Sequence, residues 1–160
     1  MKGIKMEKEL NIYDIKDKIE YLEEVITLEH NEWATDPESN IKNRIEEKVK
    51  KVKRYLSQRN FCKLILLNKN ELVGFISIFP HDGDDLPELT PWYSTMYVKK
   101  EYRGKGYSKI LNDAILNEAK KRGYKYIYLK TDLTNYYEKF GAEFVQNINE
   151  KEKLYRINLK

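Results

Sequence analysis

The hydrophobic pattern of the chain changes its period near residue 61, and this change limits the folds that the sequence can adopt. Before it, apolar residues recur at helical spacing in a segment that contains Ile41, Ile45, Val49, Val52 and Leu56. After it, short runs rich in Leu, Ile, Val and Phe are separated by turn residues, which is typical of strands. Two N-terminal helices followed by strands and a strand–helix–strand crossover predict an α/β (α+β) fold with a mixed central sheet flanked by helices.

Two helices are predicted in the N-terminal part. The first is expected to begin after Asp14, whose side chain can cap it, and to end before Pro37 and Ser39. The second is expected from about Ile41 to Gln58. Neither helix carries a catalytic cluster, so the candidate chemistry lies in the C-terminal part of the chain.

Six strands and two further helices are predicted after residue 61. The predicted strands are 63–67, 72–79, 92–98, 126–131, 143–148 and 153–159. A long helix is expected from Gly106 to Arg122, with Gly123 as its C-cap, and a short helix from Asn135 to Phe140. Because no repeat or linker interrupts the chain, residues 1–160 are predicted to form a single domain.

Composition favours a soluble protein of a reducing compartment. Charged residues make up 35% of the chain and apolar residues 41%, and no apolar run is long enough to span a bilayer. The segment Met1–Asn11 is charged and lacks the apolar core of a signal peptide. The single cysteine, Cys62, has no partner for a disulfide and is expected to be a buried thiol. A cytoplasmic location without membrane association is therefore expected.

Metal and nucleic-acid sites are not expected. One cysteine and the two histidines His30 and His81 make a zinc site improbable, and no metal is predicted. The densest basic run, Lys48 to Arg54, is threaded by apolar residues at helical spacing. Its lysines therefore fall mostly on a solvated helix face, and nucleic acid is not expected as a partner.

A glycine-rich turn lies where the predicted strand 92–98 passes into the long helix. Unpaired N–H groups and the dipole at a helix start attract anions, and glycines let the backbone approach a phosphate closely. Arg103 and Lys105 add positive charge, so the turn suits a pyrophosphate. It is not a P-loop, because Gly106 follows Lys105, and it is not a dinucleotide fingerprint, because Lys109 stands where the third glycine belongs.

Three segments resemble the GNAT superfamily of N-acetyltransferases. Tyr102–Leu111, YRGKGYSKIL, resembles its acetyl-CoA loop, in which Ser108 stands where the family usually has Gly or Ala. Asn135–Gly141, NYYEKFG, resembles its closing motif, with Ala142 in place of the usual aromatic residue. Pro87–Trp92, PELTPW, resembles a stretch before the central strand in a small-molecule branch of the superfamily.

This resemblance implies acetyl-CoA as the cosubstrate and direct transfer of its acetyl group to an amine. It implies that acetyl-CoA is bound by Met96, Tyr97, Val98, Arg103, Gly104, Lys105, Gly106, Tyr107, Ser108 and Asn135. It also implies that Tyr137 is the general acid that protonates the leaving thiolate. A phenol, with a pKa near 10, keeps its proton at neutral pH and can pass it to a nascent thiolate.

An acidic loop before the central strand contains Asp82, Asp84, Asp85 and Glu88. An alkylammonium group has a pKa near 10, so a carboxylate must help to remove its proton before the amine can attack. Asp85 or Glu88 is predicted to be the general base, and the loop is predicted to attract a small cationic amine. A solvated loop without a catalytic role is the alternative.

The sequence leaves two other functions open. The chain could bind acetyl-CoA as a sensor without catalysis, or it could acetylate a peptide or protein amine instead of a small molecule. An edge strand near the C-terminus could also pair with a second copy of the chain, which would give a homodimer.

Overall fold

Seven strands form one mixed sheet in the computed structural model, which describes residues 9–34, 40–83 and 85–159. In chain order the strands are β1 Leu10–Asp14, β2 Cys62–Asn68, β3 Glu71–Phe79, β4 Trp92–Val98, β5 Tyr126–Thr131, β6 Ala142–Asn147 and β7 Lys153–Asn158. Their order across the sheet is β1-β2-β3-β4-β5-β7-β6. The neighbours β4 and β5 run parallel and the other neighbours run antiparallel, so the predicted mixed sheet is confirmed.

Three helices cover the two faces of the sheet within the described ranges. They are α1 Leu22–Trp33, α2 Ile41–Tyr55 and α3 Tyr107–Lys121. On one face α3 is buried through Leu111 and Ile115. On the other face α1 and α2 pack through a cluster that includes Val25 and Ile45. The predicted arrangement of a sheet flanked by helices is therefore confirmed.

Burial of β2 on both faces explains its unbroken run of apolar residues. Leu64 and Leu66 pack into the cluster beneath α3, whereas Ile65 and Leu67 pack into the cluster beneath α1 and α2. Successive side chains of a strand point to opposite faces, so a strand covered on both sides needs apolar residues at every position. Cys62, at the start of this strand, is buried as predicted.

The N-terminal segment corrects the prediction of a helix that begins directly after Asp14. Residues Leu10–Asp14 form β1, which pairs antiparallel with β2. Two short 3-10 turns follow, and α1 begins only at Leu22. Asp14 does act as a cap, because its side chain accepts a hydrogen bond from the backbone N–H of Lys16 at 3.0 Å.

The other elements lie close to their predicted bounds. Strands β4 and β5 have the predicted limits, while α2 ends at Tyr55 rather than at Gln58. The short helix predicted from Asn135 is a 3-10 turn at Tyr137–Phe140. Pro37 and Ser39, which were predicted to interrupt the first helix, lie outside the described residues.

Strands β4 and β5 touch at one point and then separate. Their ladder consists of the single pair Trp92 and Tyr128, supported by a hydrogen bond from the Tyr128 N–H to the Pro91 carbonyl at 3.1 Å. Beyond it, residues of both strands line a cavity instead of pairing with each other. The sheet therefore opens between its two central strands, and this opening positions the candidate site.

A β-bulge interrupts β4 beside this opening. Phe75 pairs with Tyr97 and Ser77 pairs with Ser94, so two residues of β4 oppose one residue of β3. The bulge contains Thr95, whose φ angle is +52°. A positive φ is rare for a β-branched residue, and a bulge leaves its extra residue without a ladder partner.

Candidate functional site

The glycine-rich turn forms one wall of a cavity of about 600 Å³ at the start of α3. The turn and helix contribute Tyr102, Arg103, Gly104, Gly106, Tyr107 and Ser108 to this cavity. The end of β4 contributes Met96, Tyr97 and Val98, and the remaining lining residues are Glu32, Trp33, Leu133 and Tyr136. Eight of the ten residues that the sequence assigned to the cofactor thus lie around a single cavity, which we call the turn cavity.

Backbone conformation explains the glycines of this turn. Gly104 and Gly106 have φ angles of +79° and +83°, which side chains other than glycine rarely adopt. Gly106 is the residue before α3, and no side chain caps the helix start. The first N–H groups of α3 therefore have no partner within the helix and can bind an anion.

Arg103 is held against the end of β4. Its Nε donates a hydrogen bond to the Val98 carbonyl at 2.8 Å, and its guanidinium lies 5.6 Å from the centre of the Tyr97 ring. These contacts fix a positive charge beside the turn cavity. Lys105 is exposed and does not line this cavity.

A second cavity, of about 770 Å³, occupies the opening between β4 and β5. We call it the central cavity. Residues of β4 from Tyr93 to Met96 and residues of β5 from Leu129 to Thr131 form two of its walls. It also has Trp33 and Met96 among its lining residues, and both of these line the turn cavity as well. The two cavities therefore adjoin.

Tyr137 lies in the wall of the central cavity, on the 3-10 turn that follows β5. Aromatic rings surround it, with the Tyr136 ring centre 4.8 Å away and the Tyr93 ring centre 6.0 Å away, both edge-on. Burial raises the pKa of the Tyr137 phenol above its usual value. The phenol is therefore protonated at neutral pH and can act as a proton donor.

Tyr93 supports Tyr137 from the strand side. The Tyr93 hydroxyl donates a hydrogen bond of 2.7 Å to the Asn112 side-chain oxygen, and both residues are buried. This bond connects β4 to α3 and fixes the ring on which Tyr137 packs. Neither Tyr93 nor Asn112 was found from the sequence, because their partnership depends on the packing of α3 on the sheet.

The acidic loop places a different carboxylate at the cavity than the sequence predicted. Asp82 lines the central cavity, and burial raises the pKa of its carboxyl group. Asp85 is exposed and forms an ion pair with Lys130 at 3.5 Å. Glu88 is exposed, and neither Asp85 nor Glu88 lines the cavity. Asp84 lies outside the described residues.

Charged and aromatic side chains share the wall of the central cavity. Its carboxylates belong to Asp82, Asp132 and Glu152, and its ammonium groups to Lys130 and Lys151. The rings of Trp33 and Phe79 lie among them, in addition to those of Tyr93 and Tyr137. A cavity with this lining can hold a small amphipathic molecule and attract an ammonium group.

Asn135 is the second predicted cofactor residue that the structure places apart. It is exposed, adopts a φ of +59° and lines neither the turn cavity nor the central cavity. Its neighbours Leu133 and Tyr136 line the turn cavity instead. Its positive φ turns the chain just before the Tyr137 segment, a geometry to which asparagine is well suited.

The part of the chain that the structure describes contains no group of three or more His, Cys, Asp or Glu side chains able to hold a metal ion. Within the same residues, each helix is too short or too polar to cross a membrane.

Residues 21–142 match the model of a protein family described as the acetyltransferase (GNAT) family. The chain is also 30% identical over 79 residues to N-acetyltransferase 8 of Homo sapiens, a match that covers 49% of this chain and 35% of that protein. The match therefore spans about a third of the length of this relative.

Two solved structures share the fold of the chain. An N-acetyltransferase from Staphylococcus aureus Mu50 gives a TM-score of 0.70 at 19% identity, over 94% of this chain and 99% of that one. The yncA protein from Salmonella typhimurium, solved with its cofactor acetyl-CoA, gives a TM-score of 0.69 at 13% identity, over 96% and 95%. At these identities the likeness establishes the fold.

Proposed function

Because the chain belongs to the acetyltransferase (GNAT) family, we propose that it transfers the acetyl group of acetyl-CoA to the primary amine of a small acceptor. The observation that carries this proposal is that the turn cavity and the central cavity adjoin at Trp33 and Met96. One cavity offers a turn suited to a pyrophosphate, and the other contains Tyr137 and Asp82. A single extended thioester can therefore reach both.

The turn cavity is the proposed binding site for the pyrophosphate of acetyl-CoA. The uncapped start of α3 presents unpaired backbone N–H groups, and Gly104 and Gly106 keep that backbone accessible. Ser108 and Arg103 also line this cavity. The hydroxyl of one and the guanidinium of the other are proposed to bind phosphate oxygens. Lys105 and Asn135 remain predicted contacts of the cofactor, and their side chains would have to move towards the turn cavity to make them.

The bulge in β4 is the proposed binding site for the thioester. A bulge leaves a backbone N–H without a ladder partner, and such a group can donate to the carbonyl oxygen as negative charge develops on it. The adjacent residues Met96, Tyr97 and Val98 line the path from the bulge to the pyrophosphate turn. Their backbone is proposed to bind the amides of the pantetheine arm.

Tyr137 is the proposed general acid. The amine nitrogen forms a bond to the thioester carbon, the bond from that carbon to sulfur breaks, and the departing thiolate takes the phenolic proton of Tyr137. The proton that the acylated nitrogen then loses returns to the Tyr137 phenolate, directly or through water. A buried phenol with a raised pKa holds this proton until the thiolate appears.

Asp82 is the proposed general base, in place of Asp85 and Glu88. It lines the cavity that Tyr137 also lines, and its raised pKa makes its ionised form a stronger base than an exposed aspartate. It would take the proton that the acceptor ammonium loses, directly or through water. Lys130, which is paired with Asp85, lies near enough to favour the ionised form of Asp82.

The proposed acceptor is small and cationic. Carboxylates outnumber ammonium groups among the lining residues of the central cavity, and one of those ammonium groups, that of Lys130, is already paired with Asp85. The rings of Trp33 and Phe79 can contact the apolar part of an acceptor or stack on a cationic group. Polyamines and aminoglycoside-like amines have this chemistry.

A thiol-release screen tests the proposed function. The protein is incubated with acetyl-CoA and a library that contains polyamines, aminoglycosides, amino acids and peptides, and free coenzyme A is measured. Release that depends on a small cationic amine supports the proposal. Release only with peptides would indicate a peptide acetyltransferase, and acetyl-CoA binding without release from any amine would indicate a sensor.

A homodimer is the proposed oligomeric state. Strand β6 is at the edge of the sheet and exposes Phe144 and Val145, whose surfaces are 53% and 41% accessible. An exposed edge strand with apolar side chains favours pairing with a second copy. Light scattering coupled to size-exclusion chromatography measures the mass, and a Val145→Lys variant is expected to shift it to that of the monomer.

A further inference from the structure

A lysine is buried in the middle of the sheet, and its contacts lead to the bulge of β4. Lys63 lies on β2 with only 1% of its surface exposed. Its Nζ donates hydrogen bonds to the Glu29 carboxylate of α1 and, at 3.0 Å, to the Ser77 hydroxyl of β3. The same ammonium lies 4.8 Å from the centre of the Phe79 ring. Such a charge is retained in an interior only with partners of this kind.

Ser77 joins this lysine to Thr95. Ser77 is fully buried and directly opposes Lys63 in the ladder between β2 and β3. The Thr95 hydroxyl donates a hydrogen bond of 2.8 Å to the Ser77 oxygen. Glu29, Lys63, Ser77 and Thr95 therefore form one polar chain that starts on α1 and crosses three neighbouring strands. We call it the buried polar chain.

The last member of the buried polar chain is the strained residue of the bulge. Thr95 combines a β-branched side chain with a φ of +52°, a conformation that persists only where the surroundings enforce it. Thr95 lines the central cavity, in the same wall as Met96. Among the contacts of the described residues, the hydrogen bond to Ser77 is the one that holds the Thr95 side chain from inside the sheet.

We propose that Lys63 and Ser77 are positioning residues for acetyl transfer, because they hold the Thr95 hydroxyl and thereby the conformation of the bulge at which the thioester reacts. This inference rests on the proposed function, which assigns the thioester to the bulge. Ser77 accepts hydrogen bonds from both Lys63 and Thr95, so the lysine charge strengthens the anchor of Thr95. Small displacements of a group that contacts a reacting atom lower turnover strongly.

Two substitutions remove the anchor without adding volume. Ser77→Ala deletes the oxygen that Thr95 contacts, and Thr95→Val replaces the hydroxyl by a methyl group of similar shape. Each is expected to lower kcat by about tenfold to a hundredfold while the Kd for acetyl-CoA changes less than about twofold. Thr95→Ser keeps the hydroxyl and is expected to retain turnover close to that of the unmodified protein. The matched control is Thr27→Val. It removes a hydroxyl on α1 that donates a hydrogen bond to the Glu23 carbonyl.

The role of Lys63 needs a variant that does not leave a charge unpaired. Lys63→Met alone is expected to unfold the protein in part, because it removes the partner of Glu29. The double variant Lys63→Met with Glu29→Gln removes both charges, and it is expected to fold and to show the same loss of kcat as Ser77→Ala. Melting temperatures of all variants are measured beside turnover, so that loss of fold is recognised.

The inference and the proposed function fail in different ways. If the unmodified protein releases no thiol with any amine, the proposed function fails. The inference then still makes a structural prediction: in a crystal structure of Ser77→Ala, Thr95 leaves its positive φ. Unchanged kcat in folded Ser77→Ala and Thr95→Val overturns the inference. A Thr95 that keeps its positive φ in Ser77→Ala also overturns it. A Thr95→Ser variant whose kcat is as low as that of Thr95→Val overturns it as well.

Discussion

The ring of Tyr137 packs edge-on against the ring of Tyr93, with 6.0 Å between their centres, and both side chains line the cavity between the central strands. Tyr93 is itself fixed to α3 through Asn112. The phenol of Tyr137 is thus supported by rigid elements although it lies on a short 3-10 turn. A proton donor needs this kind of support to meet the leaving group in a constant orientation.

Tyr137→Phe is expected to lower kcat by about a hundredfold or more, because it removes the proposed proton donor and leaves the ring contacts in place. The Kd for acetyl-CoA should change little, since the lost hydroxyl lies away from the pyrophosphate turn. Steady-state kinetics and calorimetric titration measure the two quantities. Tyr126→Phe, at an exposed site on β5, is the control. Equal turnover in both variants would assign the proton to another donor.

Asp82→Asn is expected to lower kcat at neutral pH by about a hundredfold, whereas Asp85→Asn should have a small effect because Asp85 is exposed. Since the pKa of Asp82 is raised, activity of the unmodified protein should fall with decreasing pH earlier than a normal aspartate would predict. A pH profile of kcat tests this point. A larger loss in Asp85→Asn would restore the assignment made from the sequence.

Stability gives an independent check on Asp82. A carboxyl group whose pKa is raised on folding stabilises the native state at low pH, and that contribution is lost as the pH rises through its folded pKa. Above that pKa, the ionised form of Asp82 therefore opposes folding. Asp82→Asn should melt at the same or a higher temperature than the unmodified protein at neutral pH. A marked fall in melting temperature would mean that its loss of activity comes from unfolding.

Acetyl-CoA alone is expected to stabilise the protein. At a ligand concentration about a hundred times the Kd, the free energy of unfolding rises by about 2.7 kcal/mol. For a chain of 160 residues this corresponds to an increase in melting temperature of several degrees. Differential scanning fluorimetry with millimolar acetyl-CoA measures it, with adenosine as a ligand that lacks the pyrophosphate. An unchanged melting temperature would contradict the assignment of the turn cavity.

Gly104→Ala separates the binding role of the turn from its stability. Gly104 and Gly123 both have positive φ angles, of +79° and +87°, so an alanine at either site is expected to cost about 1–2 kcal/mol of stability. Only Gly104 borders the turn cavity, and only Gly104→Ala should weaken acetyl-CoA binding, by about tenfold or more. Calorimetry on both variants measures the difference. Equal affinities would place the pyrophosphate elsewhere.

Cys62 is expected to be inert in the folded protein. Burial, followed by the charge of Asp14, raises the pKa of its thiol to about 12, so the reactive thiolate is scarce at neutral pH. A colorimetric disulfide reagent should therefore detect no thiol in the native protein and one thiol per chain in guanidinium. The same reagent can then measure released coenzyme A without background. Rapid labelling of the native protein would contradict the burial of this strand.

The elements that the sequence predicts well are those with a strong local pattern. The bounds of β4 and β5 and the hairpin between β2 and β3 follow from apolar runs separated by turn residues. Strand β1 could not be predicted with the same ease. It is short, and it forms a strand by pairing with the edge of β2, so its structure depends on a partner fifty or more residues away in the chain.

The site shows the same division between local and long-range information. The residues around Gly104 and Gly106 carry a local motif, and the structure places eight of the ten predicted cofactor residues at one cavity. The roles proposed for Asp82, Thr95 and Lys63 depend on which residues of the loop fold inwards and on the register of β3 against β4. The spacing of residues along the chain does not specify that register.

The single ladder pair between Trp92 and Tyr128 has a mechanical consequence. It divides the sheet into a four-stranded part that ends at β4 and a three-stranded part that begins at β5. The two parts are joined by this one pair, and little backbone pairing holds the rest of the seam between β4 and β5 closed. An elongated molecule with amide groups of its own, lying along that seam, would complete the missing ladder. We therefore expect ligand binding to slow amide hydrogen exchange on both sides of the seam and to make the two parts behave as one continuous surface.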